Sequence, residues 1–324
     1  MPLLNRRHFL IASAATTIGG SSAAAAEFPE RPITIIIPFA AGGAGDTIIR
    51  VLSPVIERQL GQPLVIDNRA TGGGGMIGAQ AVAKAAPDGH TLLLGATHNF
   101  VINQFLFPKV SLDPLTAFAL ITKVADVPLV LYASLSAPPT LAEFIARAKA
   151  NPSKLSYGSP SVGSTPHLSV ERLKQLTGIE LVHIPYRGAP PAMQALMADE
   201  VQLYLAGWGV GKAQVEAKRV QALAIASPGR VPGVPLPTAI ESGVPDYVSS
   251  NWWGLAAPNA TPQPVIDKIY RAVTTALSEP AIRQRLEELG FVPNGKPPQT
   301  FLQESKAEAQ VWAETISRGK LAIE

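Results

Sequence analysis

Three short connections carry the residues with chemistry to offer: Gly42-Gly43-Ala44-Gly45-Asp46, Gly72-Gly73-Gly74-Gly75 and Ser159-Pro160-Ser161-Val162-Gly163-Ser164-Thr165. Each follows an apolar or β-branched run and precedes apolar residues at helical spacing. Glycine allows the backbone to approach a ligand closely and takes positive φ without strain. The first amides of the following helix have no intrahelical partner and lie at the positive end of its dipole. Such a turn holds an anion without help from Lys or Arg.

Phosphate motifs are missing. No Gly-Lys-Ser/Thr occurs, and Ile48 stands where a dinucleotide fingerprint needs its third glycine. None of the three loops contains lysine. That favours a carboxylate, which two or three aimed donors satisfy. The plainer alternative is three tight strand-to-helix turns with no ligand.

Other chemistries find less support. The histidines His8, His90, His98, His167 and His183 include no i,i+4 pair and no His-Glu-x-x-His, and the chain lacks cysteine. No metal, cofactor or thiolate is therefore expected. Gly158-Ser159-Pro160-Ser161-Val162 misses the nucleophile elbow, and no residue is assigned a catalytic role. Asp46 reads as the N-cap of a helix starting at Thr47 rather than as a catalytic acid. His167 reads as a local hydrogen-bonder, and Trp252-Trp253 as either a ligand wall or packing.

The elements that would position these loops alternate. Runs at 33–37, 64–66 and 91–94 read as strands, with helices at 48–60 and about 76–86 between them. This βαβαβ order implies a parallel sheet covered by helices. A second group begins at 128–132 and continues through strands at 155–157, 181–184, 201–205 and 222–225. Thr140 is a plausible N-cap within it. Prolines at 228–237 look like a return connection, and the tail is helical. The expected class is α/β in two lobes: residues 27–125 with 229–324, and residues 126–228.

Residues 1–26 read as an export leader. Arg6-Arg7 precedes a mild apolar stretch, and Ala24-Ala25-Ala26 offers a cleavage site. The leader holds two of the 27 basic residues and none of the 24 acidic ones. The remainder is nearly neutral, with no basic block interleaved with aromatics, so nucleic acid is not an expected partner. No later run approaches roughly 18 apolar residues, and no membrane span is expected.

Taken together these segments resemble the periplasmic receptors of tripartite tricarboxylate transporters, the Bug receptors. The resemblance rests on Pro38-Phe39-Ala40-Ala41-Gly42-Gly43-Ala44-Gly45-Asp46, Asn68-Arg69-Ala70-Thr71-Gly72-Gly73-Gly74 and Pro87-Asp88-Gly89-His90-Thr91-Leu92-Leu93. Further on it rests on Gly163-Ser164-Thr165-Pro166-His167-Leu168, His183-Ile184-Pro185-Tyr186-Arg187-Gly188 and Trp252-Trp253-Gly254-Leu255. It covers essentially the whole mature chain. It implies a Venus-flytrap fold (type II periplasmic binding protein), each lobe a mixed, mostly parallel sheet flanked by helices. It also implies binding of a di-, tri- or aromatic carboxylate between the lobes and its delivery to membrane subunits of the transporter; a monomer is expected.

Carried over, the resemblance points to Phe39, Ala41, Gly43 and Asp46 on one wall. Ser159, Gly163, Ser164 and Thr165 form the other, with Thr97, Asn99 and Tyr186 nearby. Three departures stand out: Phe100 in place of a histidine, Ala206-Gly207-Trp208 in place of Phe-Asp, and the extra Pro160. Loss of the acid leans toward an apolar or aromatic carboxylate over an amino acid. A sensing partner of a membrane kinase would use the same cleft, and a periplasmic hydrolase or isomerase is the remote alternative.

Overall fold

The computed structural model describes residues 28–39, 41–69, 75–109 and 112–323. The expected leader and most of the 72–75 loop lie outside those residues. The first lobe opens with β1 (Ile33–Ile37), α1 (Ala44–Leu60), β2 (Leu64–Asn68), α2 (Met76–Ala83) and β3 (Thr91–Ala96). A π-helical turn, His98–Ile102, leads into short helices α3 (Asn103–Leu106) and α4 (Pro114–Ala117), and then into the long strand β4 (Phe118–Ala133). The second lobe holds α5 (Leu141–Ala150), β5 (Leu155–Ser159), α6 (Thr165–Thr177), β6 (Leu181–Pro185), α7 (Ala189–Met197), β7 (Leu203–Gly207), α8 (Trp208–Glu216) and β8 (Gln221–Ile225). The chain returns through β9 (Ser250–Pro258) to α9 (Gln263–Ser278), α10 (Pro280–Glu288), β10 (Val292–Lys296) and α11 (Pro298–Gly319).

Strands run in the order β2-β1-β3-β9-β4-β7-β5-β6, with β10 and β8 also on β4. The crossover strands pair in parallel, β1 with β2 and β3, and β5 with β6 and β7. Strands β4 and β9 enter antiparallel. Strand β4 joins the two halves. It pairs with β9 as far as Pro128↔Ser250, then with β7 from Leu129↔Gly207. Proline has no N–H to give a ladder, and here it sits where one ladder ends and the next begins.

Both faces of each half-sheet are covered, which is why the strands read as continuous apolar runs. Along β1, Ile33, Ile35 and Ile37 face a core with α1 and α9, while Ile36 faces α2 and the aromatic group around Phe100. In the second lobe Leu129 and Leu131 face α5 and α6, whereas Val130 and Tyr132 face α7 and α8.

Candidate functional site

The first loop is held by its own helix. Helix α1 starts at Ala44, three residues before the expected Thr47, with Gly43 as an N-cap that has no side chain to offer. Asp46 is therefore not the cap. It sits in the first turn and reaches back, its Oδ2 accepting the Gly42 N–H at 3.0 Å, while Oδ1 pairs with Arg50 at 2.9 Å. The Arg50 hydrogen bond holds this carboxyl below its ordinary pKa, so Asp46 fixes the loop. Gly42 takes φ +77°, which favours glycine. Gly45 is required for another reason: a Cβ there would collide with the Trp253 ring. Phe39 meets that ring edge-on at 5.3 Å.

The second loop is stapled from behind. The Ser164 Oγ caps α6, accepting from the His167 N–H at 3.4 Å and donating to the Ser161 carbonyl at 2.7 Å. The Gly163 N–H donates to His167 Nδ1 at 3.0 Å. Ser159 is fully buried and donates to the same Ser161 carbonyl at 2.9 Å, with His183 Nε2 at 2.7 Å. His183 and His167 stack at 3.9 Å between centroids, and Tyr157 stacks on His183 at 4.8 Å.

The two lobes meet across the cleft. The Thr165 N–H, at the start of α6, donates to His98 Nε2 at 2.9 Å, and the Thr165 hydroxyl lies 3.1 Å from the same nitrogen. An imidazole that accepts through Nε2 is neutral, with its proton on Nδ1. Burial agrees, pushing the His98 pKa down to about 4.

Around this contact lies a cavity of about 470 Å³. The N-termini of α1, α6, α7 and α8 reach it, through Gly42 and Ala44, Ser164 and Pro166, Ala189, and Gly207 and Gly209. His98, Asn251 and Phe291 complete the wall, and no Asp, Glu, Lys or Arg is among the described lining residues. Four positive helix ends, with the C-terminal end of α10 at Leu289 and Gly290, thus face a space with no ionised side chain among its described lining residues.

Of the residues expected at the site, Ser164 lines this cavity, and Ala41 and Gly43 are exposed beside Gly42. Thr165 bridges the lobes. Phe39, Asp46, Ser159 and Gly163 brace the loops from behind. Thr97 and Asn99 are fully buried and committed to backbone: the Trp252 N–H donates to Thr97 Oγ1 at 2.8 Å and the Ala96 N–H to Asn99 Oδ1 at 2.9 Å. Tyr186 lies behind the second loop, its N–H on the Ser159 carbonyl at 2.8 Å. Phe100 is core, stacked on Trp252 at 5.6 Å, so its presence does not bear on the ligand. Trp252 and Trp253 are both packing, buried in separate cores.

Sequence reasoning missed His98 and the ends of α7 and α8. The signal for the helix ends was present: Gly188 before Pro190 and Gly207 after a strand repeat the strand–glycine–helix order of the two loops that were recognised. His98 was read only as one of five histidines without metal-site spacing.

Residues 48–321 match the family model described as the tripartite tricarboxylate transporter family receptor. The chain is 33% identical to protein BugT of Bordetella pertussis over 305 residues, 93% of each chain. Among solved structures it is similar to Rpa4515 of R. palustris with adipate (TM-score 0.80, 32% identity, covering 91% of this chain and 99% of that one). It is also similar to MatC of Rhodopseudomonas palustris with bound malate (TM-score 0.76, 33% identity, covering 89% and 100%).

Proposed function

Because the chain belongs to the tripartite tricarboxylate transporter receptor family, we propose that its cleft cavity captures a small carboxylate in the periplasm and passes it to membrane subunits of such a transporter. One observation carries the reading: four helix N-termini converge on a cavity with no ionised side chain among its described lining residues. Amides at the starts of α1, α7 and α8 replace the hydration of a carboxylate, and all four helix ends add their dipoles. The first amides of α6 are taken by His98 and Ser164. Two related receptors were solved with adipate and malate, which are dicarboxylates without an amine. An ammonium group in this cleft would face four positive helix ends and no acid among the described lining residues, so amino acids are poor candidates.

The moving bodies we propose are residues 27–125 with 229–324, and residues 126–228, hinged where β4 changes partners. The Thr165–His98 contact then belongs to the closed form. The Arg6-Arg7 leader fits export, and among the described residues no helix is long and apolar enough to cross a membrane. Ser159 and His183 have the spacing of a nucleophile and base, but the serine is fully buried and gives its proton to the Ser161 carbonyl.

Calorimetry against adipate, malate, benzoate and glutamate tests the proposal. At least one amine-free carboxylate should bind with glutamate much weaker. Binding of glutamate alone, or of none of the four together with none in a wider carboxylate screen, would overturn it.

A further inference from the structure

A second cavity, of about 590 Å³, lies behind the hinge strand and shares no lining residue with the cleft. Side chains alternate along a strand: Val127 and Leu129 of β4 face the cleft cavity, while Asp126 and Pro128 line the rear one. Its walls come from both halves of the molecule. Arg172 on α6 belongs to the second lobe, and Lys123, Lys296 and Glu308 belong to the first.

The charges here are nearly all committed. Lys123 pairs with Asp126 at 2.6 Å, Arg230 with Glu241 at 3.0 Å, and Lys296 with Glu304. Glu308 accepts the indole N–H of Trp252 at 2.7 Å and that of Trp312 at 3.0 Å, one on each oxygen. Arg172 differs. One Nη donates to the Asp246 carbonyl at 3.1 Å, its Nε is buried without a partner, and no carboxylate pairs with it among the described residues. A buried polar group left unbonded is costly, and a guanidinium is shaped to grip a carboxylate. Beside it, Val248, Val292, Val311 and Trp312 form an apolar bed.

We propose that this rear cavity is a second ligand site for a small organic monocarboxylate. The carboxylate seats on Arg172 and the apolar body lies against Val311 and Trp312. The volume is in the range of small-molecule sites. Because the walls belong to both lobes, the ligand binds one lobe angle better than another. It therefore changes the affinity of the front cleft, and a front ligand changes its own binding by the same factor.

The test follows the Trp312 indole N–H by NMR in the ¹⁵N-labelled full chain while hexanoate or benzoate is added, with the signal identified by Trp312→Phe. A saturable shift is expected in the unaltered protein. The shift should need roughly tenfold more ligand in Arg172→Gln, the worth of a hydrogen bond to a charged group, and less of an increase in Arg172→Lys. Ser164→Ala should leave it in place, so the rear site is read even if the front cleft binds nothing. No shift with either acid, or equal titrations for the unaltered chain and a folded Arg172→Gln, would overturn the site. An adipate Kd unmoved by saturating hexanoate would overturn the coupling.

Discussion

At the scale of single residues, the cleft depends on side chains that hold backbone in place as much as on any that face the cavity. Gly45 is the sharpest case. Its missing Cβ is the space filled by the Trp253 ring, about 2.3 Å from where that atom would stand. Gly45→Ala must push the ring or the first turn of α1 outward, and overpacking of this kind costs about 1–3 kcal/mol. A thermal melt should show a clear drop, with weaker carboxylate binding; an unchanged melting point would mean the ring moves freely. Histidines set the acid limit. His98 and His167 are held neutral, with pKa values lowered to about 4 from 6.5. Between those values the unfolded chain binds protons that the folded chain refuses. Stability is therefore full above pH 6.5 and falls as pH drops toward 4, by up to about 3 kcal/mol per histidine. Urea midpoints at pH 7, 5.5 and 4.5 should fall in that order, and His98→Gln should flatten the slope. A residue's type predicts its capacity, not its exposure. Thr97 and Asn99 have fitting side chains but fold inward, while His98 between them reaches across the cleft to Thr165.

At the scale of elements, the recurring unit is strand, glycine, helix, and the cavity is where four such units end. Ser164 is both cap and wall. Ser164→Ala should cost about 1 kcal/mol through the lost cap and also weaken ligand binding. A stability loss with unchanged affinity would assign it to the helix alone. Elements made by their own apolar pattern, such as β1 and α9, were legible. Strands made by their partners were not. β10 is Val-Pro-Asn-Gly-Lys, a turn sequence by composition, and becomes a strand because β4 offers it an edge. β9 carries Trp252-Trp253-Gly254 and no alternation that a single sequence would reveal. Only the end of β4, from Pro128, was read as a strand, because Lys123 and Asp126 interrupt the pattern before it. Context of this kind outweighs intrinsic strand preference.

At the scale of the whole molecule, β4 makes the two lobes one cooperative body, since neither half-sheet is complete without it. Scanning calorimetry should show one unfolding transition that moves upward with a bound carboxylate. Two resolved transitions would mean that the lobes melt independently. The two-group α/β architecture was readable because each βαβ unit is local in sequence. The joining of the groups was not, because it is made by pairings such as Leu93↔Ala256 that span half the chain.

That same pairing fixes the order in which the protein can be finished. β3 and β4 are neighbours only through β9, so a chain emerging from the ribosome has a gap in its first sheet until Pro258, about four-fifths of its length. The second lobe, from Leu129 to Ile225, can pair all its strands earlier. The segment made first therefore waits for one of the last, leaving synthesis a long interval in which the N-terminal lobe is still open.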